Sequence, residues 1–183
     1  LATLYVAMSD SDPSTPFFEL GRKEFERGSR LPNASPLPEQ GLILMAATTG
    51  QPVAPEWWDR IIHKVRTRPI GTQEVMAVAG LMQQRYRGIE LDDRRLSELY
   101  GTLLERAPVP ATMYAQYGDF ALKYLKDDAL ADRMFVAAIE RSPRDAAYAE
   151  KVIGALVVDG HVRQAKVVTE RALAMGLLGG KNG

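Results

Sequence analysis

Leu104-Glu105-Arg106-Ala107-Pro108 returns 35 residues later as Ile139-Glu140-Arg141-Ser142-Pro143. Each copy reads apolar, Glu, Arg, small, Pro, and each closes a stretch of helically spaced apolar residues. Proline has no amide hydrogen and clashes with the preceding turn, so it fixes where a helix stops. The echo is five residues long, and its weight comes from what lies between the prolines. There, Tyr114, Tyr117, Gly118 and Ala121 fall on one helix, and Ala131, Phe135, Ala138 and Ile139 on a second. Small residues let two helices approach closely, and the aromatics fill the space beside that contact. A lone hairpin of this kind cannot bury its apolar stripe, so neighbouring hairpins are expected to stack.

The same design extends outward in both directions. Downstream, amphipathic segments near 145–159 and 162–175 surround the turn Asp159-Gly160-His161. Upstream, helices are expected over 111–125, from Asp92 or Asp93 to Arg106, and from a Thr72 cap to Tyr86, with Gly88 ending the last of these. Earlier ones cover 55–67, stopped before Pro69, then 37–48, opened by Pro38-Glu39, and 15–30. The last has Thr15 before Pro16 as a cap and Phe17, Phe18, Leu20, Gly21, Phe25 and Gly28 near one side. A helix over 129–141 takes Asp128 as its natural N-cap. Residues 1–8 read as a truncated helix and 179–183 as a frayed, disordered tail. No stretch alternates strictly enough to argue a sheet. The expected fold class is therefore all-α, a helical-hairpin solenoid of about nine to ten helices, with short connections and antiparallel neighbours.

The stretch over residues 111–176 resembles the tetratricopeptide (TPR) family. The family places an aromatic, a large apolar residue and a Gly on its first helix, here Tyr114, Tyr117 and Gly118. On its second it places Ala, an aromatic and Ala before a closing Pro, here Ala131, Phe135, Ala138 and Pro143. In the following unit Gly160 and Ala165 match the turn and close contact, with Thr169, Ala172 and Leu173 after them. Ile153 departs from the pattern, standing where Gly or Ala is usual. The unit at 111–143 also carries one residue more between Gly118 and Ala131 than the family's usual spacing. The resemblance implies one repeat domain over 1–178, degenerate across 1–108 and clearer at 109–143 and 144–176.

Composition narrows the chemistry. The sequence has no cysteine, which removes disulfides, Cys-ligated zinc, iron–sulfur clusters and thiol catalysis. Lys plus Arg (23) equals Asp plus Glu (23), so nothing global favours nucleic acid, whose phosphates call for a surplus of cations. No apolar run approaches ~18 residues, so this segment is not expected to contact a membrane itself. No phosphate-cradling, nucleophile-elbow or metalloprotease motif is present, and no cofactor is expected. His63 and His161 lack metal-ligand spacing. Of the adjacent Trp57 and Trp58, which point ~100° apart on a helix, one is expected in the core. Lys64, Arg66 and Arg68 read as a solvated basic edge, and Asp92-Asp93 and Asp127-Asp128 as helix starts.

The resemblance implies an interaction scaffold, not an enzyme, that receives a protein, peptide or partner helix on a concave face built from first helices. Carried onto this sequence, that face takes Thr112, Gln116, Asp119 and Lys123 from one unit. From the next it takes Ala147, Glu150, Lys151 and Gly154. The Lys and Asn clamp that some TPR domains close on a peptide's terminal carboxylate is missing, since Ala115 and Asp119, then Glu150 and Gly154, hold its positions. An alternative expectation is the soluble tail of a larger bacterial membrane protein of glycosyltransferase-like or polysaccharide-assembly type. It rests on the Leu31–Leu42 stretch and the absence of an initiating Met. An all-helical enzyme is a second alternative. Compartment and oligomeric state are not legible.

Overall fold

The computed structural model describes Thr3, residues 12–31 and residues 34–179. Among these residues stand nine α-helices and no strand: α1 (Pro16–Ser29), α2 (Leu37–Thr48), α3 (Pro55–Thr67), α4 (Thr72–Tyr86), α5 (Asp93–Arg106), α6 (Ala111–Phe120), α7 (Asp128–Glu140), α8 (Ala146–Val158) and α9 (Val162–Ala174). The expected helix over residues 1–8 lies outside the described residues, Thr3 apart, as do residues 180–183 of the expected tail. The chain divides into two compact units, Leu1–Ala107 and Pro108–Gly183. The division falls just before Pro108, the closing proline of the first copy of the repeated phrase.

Helix starts follow local chemistry. The Thr15 hydroxyl accepts from the Phe18 amide at 3.3 Å, with Pro16 at the first position of α1. Asp92 caps α5 by accepting from the Arg94 and Arg95 amides. Two expected caps move by one residue. Thr72 is the first residue of α4, and Gly71 precedes it with its N–H donated to the Glu74 carboxylate at 3.0 Å. Asp127, not Asp128, caps α7 by accepting from the Leu130 amide at 2.9 Å. Asp128 is thereby released to face α9. At the other ends, Gly50 and Gly88 take φ of +66° and +92°, the left-handed conformation that closes α2 and α4.

In the first unit α1 packs on α2, α2 on α3 and α4 on α5; in addition α2 lies against α4 and α3 against α5. Leu42, Ile43, Ile61, Leu81, Leu96 and Leu99 are completely buried there. On α1 only part of the expected stripe is inward. Phe18 and Gly21 are buried, whereas Phe17 and Leu20 are exposed. Bonds across the α3–α5 seam join Asp59 to Arg95 at 3.0 Å and Arg66 to Glu98 at 3.5 Å. Low numbers meet low and high meet high, so α3 and α5 run parallel. Gln40 of α2 likewise donates to the Ala77 carbonyl of α4, 37 residues on.

The second unit repeats this scheme. Its hairpins are α6–α7 and α8–α9, and α7 packs along α9. Arg163 bonds Asp132 at 2.8 Å, Gln164 bonds Asp128 at 3.3 Å, and Arg171 pairs with Glu140 at 2.6 Å. Those contacts again run in parallel order. Both units therefore join second helices of successive hairpins across separations of 31 to 36 residues.

Within the first unit, Arg66 is exposed as expected, but Lys64 and Arg68 do not join it in a solvated edge. Lys64 Nζ donates to Glu39 Oε1 at 2.7 Å, to the Ser35 carbonyl at 3.3 Å and to the Ser29 carbonyl at 3.4 Å, using all three of its protons. Glu39 is fully buried. Arg68 bonds the Ala34 carbonyl and pairs with Glu74, each at 3.0 Å. Together these two cations fasten the α1–α2 connection onto α3. Burial pushes the Glu39 carboxyl above its ordinary value of 4.5, although Lys64 pulls the other way.

Between Gly118 and Ala131 the chain makes one wide π-helical turn, Ala121–Leu125. The Lys126 amide reaches the Ala121 carbonyl, and Lys126 itself is left-handed at φ +57°. An i→i+5 ring holds one more residue than an α-helical ring.

Lys64→Met leaves Glu39 buried without its cation and is expected to cost about 3–5 kcal/mol at pH 7. The native state binds the Glu39 proton more tightly than the unfolded chain does. The group's contribution to stability is thus full below pH 4.5 and is lost as pH rises through the elevated value. Urea unfolding across pH should show the wild type losing stability relative to Glu39→Gln as pH rises from the acid side. An unchanged difference contradicts the burial argument. Lys126→Gly relieves a left-handed side chain and should stabilise the native state by about 0.5–1 kcal/mol, read as a higher urea midpoint at unchanged slope.

Candidate functional site

The face implied for partner binding begins on α6, and its position is set by what α6 buries. Met113, Tyr114, Tyr117, Gly118 and Phe120 are turned inward. A Cβ built on Gly118 would stand 3.0 Å from the Phe135 ring, closer than ordinary van der Waals contact. The absent side chain is therefore what lets α6 and α7 approach, with Ala131 and Ala138 fully buried on the α7 side. The Arg141 guanidinium lies 4.3 Å above the Tyr114 ring. So the second copy of the repeated phrase works as a clamp: Ile139 is buried, Glu140 reaches α9 and Arg141 covers α6. In the first copy Glu105 and Arg106 are exposed.

The opposite side of α6 carries the expected residues at successive helical turns. Thr112 is exposed, Gln116 and Asp119 are half-buried, and Lys123 is exposed. Lys123 pairs with Asp119 at 3.2 Å. On α8 only Ala149, Val152 and Leu156 are buried, a narrow stripe that leaves most of the helix to solvent. Glu150 and Lys151 are both exposed, as are Ala147 and Gly154. The α6 and α8 helices do not approach as closely as α7 and α9 do. Ile153, where the TPR pattern has a small residue, is half-buried against the shared core of this unit.

The other singled-out residues are placed without a catalytic cluster. His63 is exposed, and His161 is half-buried just before α9, its amide donating to the Leu156 carbonyl at 2.7 Å. Trp58 fills the core and Trp57 stays half-buried, so the pair divides as its ~100° offset requires. Among the described residues no group of three His, Asp or Glu side chains could hold a metal ion. No described helix is long and apolar enough to cross a membrane. Tyr148, at the start of α8, has its phenol pushed up by burial and, to a lesser degree, by Asp145. Two features escaped the sequence reading. Gly41 sits with its missing side chain against the Phe25 ring, and Glu39 meets Lys64 in the interior.

The chain matches no protein-family model, no curated protein and no solved structure. The functional reading therefore stands on the geometry.

The Gly118–Phe135 contact is open to a direct test. Gly118→Val forces a branched side chain into the ring and should destabilise the protein by about 1–3 kcal/mol. Phe135→Ala leaves a cavity and should cost about 3–5 kcal/mol. Combined, the two should cost clearly less than their sum, because each relieves the defect of the other. Additive losses in chemical denaturation would show that the two residues do not share one contact.

Proposed function

We propose that this chain is a protein-interaction scaffold of the TPR type, receiving a peptide or a partner helix on the polar side of its first helices. The observation that carries the reading is the lateral joining of parallel helices two positions apart, repeated in both units at separations near those of a helical-hairpin repeat. Hairpins stacked in this way spend their apolar sides on each other. What remains outward is a set of side chains that the stacking does not use. Thr112, Gln116 and Asp119 on α6, Lys123 on the wide turn that follows it, and Glu150 and Lys151 on α8 make that set of mixed charge. A ligand of mixed polar character suits it better than a polyanion or an apolar helix.

The test is a peptide array probed with the wild type and with Lys123→Glu combined with Lys151→Glu. Lys123 is exposed and its pairing with Asp119 spans one helical turn, so the change should leave the fold intact. Circular dichroism serves as the check on folding. Peptides bound by the wild type should lose about tenfold or more in affinity in the double variant, each tenfold being about 1.4 kcal/mol. Unchanged binding by a folded double variant would remove this face from the reading.

A further inference from the structure

A second surface lies wholly within the first unit and has no place in the groove just described. The α2–α3 and α4–α5 connections run side by side, because α2 packs on α4 and α3 on α5. Each begins with a left-handed glycine, Gly50 or Gly88, and then runs for four residues outside any helix, Gln51 to Ala54 and Ile89 to Asp92, ending extended at Ala54 and Asp92. Between them opens a cleft of about 1040 Å³. Trp58 and Leu91, both buried, line its depth, and half-buried Val53 and Ile89 line its walls.

Its polar character comes from two sources. The amides of Val53, Glu90 and Leu91, all residues of the lining, donate to no main-chain or side-chain acceptor among the described residues. Such main-chain groups are left to water or to a ligand. The charged side chains of the lining are Glu90, Asp92 and Arg95. Arg95 is already held by Asp59 at 3.0 Å and by Glu98 at 3.3 Å. Glu98 is shared in turn with Arg66. Arg95 is thus already committed to carboxylates outside the lining, and exposed Glu90 has no cation within pairing distance among the described residues. The start of α3 has no side-chain cap, which by itself would suit an anion, but Glu56 in its first turn already supplies one.

We propose that this cleft binds an extended, basic peptide segment. An apolar side chain of that segment stands on Trp58 between Val53 and Ile89, its main chain meets the amides of the two connections, and its lysine or arginine meets Glu90. Extended peptides are recognised in this way, with main-chain bonds giving affinity and pockets and charge giving selectivity. The site is independent of Lys123 and Lys151, which lie in the other unit.

The experiment uses the whole chain and two probes, a capped hexapeptide alternating lysine with leucine and its counterpart alternating glutamate with leucine. The only two tryptophans, Trp57 and Trp58, both lie on α3, so their emission reports on the cleft. The lysine peptide should shift that emission and bind at least about tenfold tighter than the glutamate peptide, with affinity falling as salt is added. Glu90→Lys should abolish or reverse the preference. Ile89→Ala should weaken both peptides, and Lys123→Glu with Lys151→Glu should leave the lysine peptide's affinity unchanged. A preference for the glutamate peptide, an affinity indifferent to Glu90→Lys, or no saturation by either peptide below about 1 mM would overturn the proposal.

Discussion

The structure depends on helices two positions apart lying against one another. An amphipathic hairpin has more apolar stripe than its two members can hide, and the surplus must go to a neighbour. Here it goes from α3 to α5, from α2 to α4 and from α7 to α9. The ion pairs along those seams are partly exposed and contribute little energy, about 0–1 kcal/mol each. They serve instead to fix alignment. Arg163 and Arg171, eight positions apart on α9, each find an acid on α7, and a slip of one residue would cost both. The energy lies in the buried side chains between, each large one contributing about 1.5–3 kcal/mol.

Glu39 and Lys64 depart from that division of labour. Their pair is dry, and its Coulomb gain is set against the cost of stripping water from both groups. What it adds is placement. One ammonium gathers the end of α1, the following connection and α2 to a single point on α3. Apolar contacts are less selective, since many packings can satisfy them. Lys64 accepts only an arrangement in which a carboxylate and two carbonyls converge.

Helices were legible in the sequence because their signals are local. Proline and glycine punctuation bounded α2, α3 and α9 to within a residue or so, and the periodic apolar residues of α5 are those the structure buries. What failed was information that neighbours supply. Asp127 and Asp128 are equally good caps by composition, and the choice between them follows from where the preceding wide turn delivers the chain. Phe17 and Leu20 have the right period but lie beyond the reach of α2. Glu39 looked like a first-turn acid suited to the helix dipole, and nothing nearby in sequence announces a lysine 25 residues away. Of the implied groove, exposure along α6 and α8 could be read from period alone. The cleft beside Trp58 could not, because it is made by two connections that meet only when their helices pack.

The wide turn at Ala121–Leu125 has a consequence for how such a chain tolerates change. One added residue in a regular α-helix would rotate every later side chain by ~100° about the axis, turning core positions outward. Here a wider ring takes up one residue more than an α-helical turn within a single loop of backbone, ended by Lys126, and Ala131, Phe135 and Ala138 are buried beyond it. The turn acts as an expansion joint: length can vary inside one hairpin while the phase of the next helix is preserved, so helices of unequal length can still share a continuous interior.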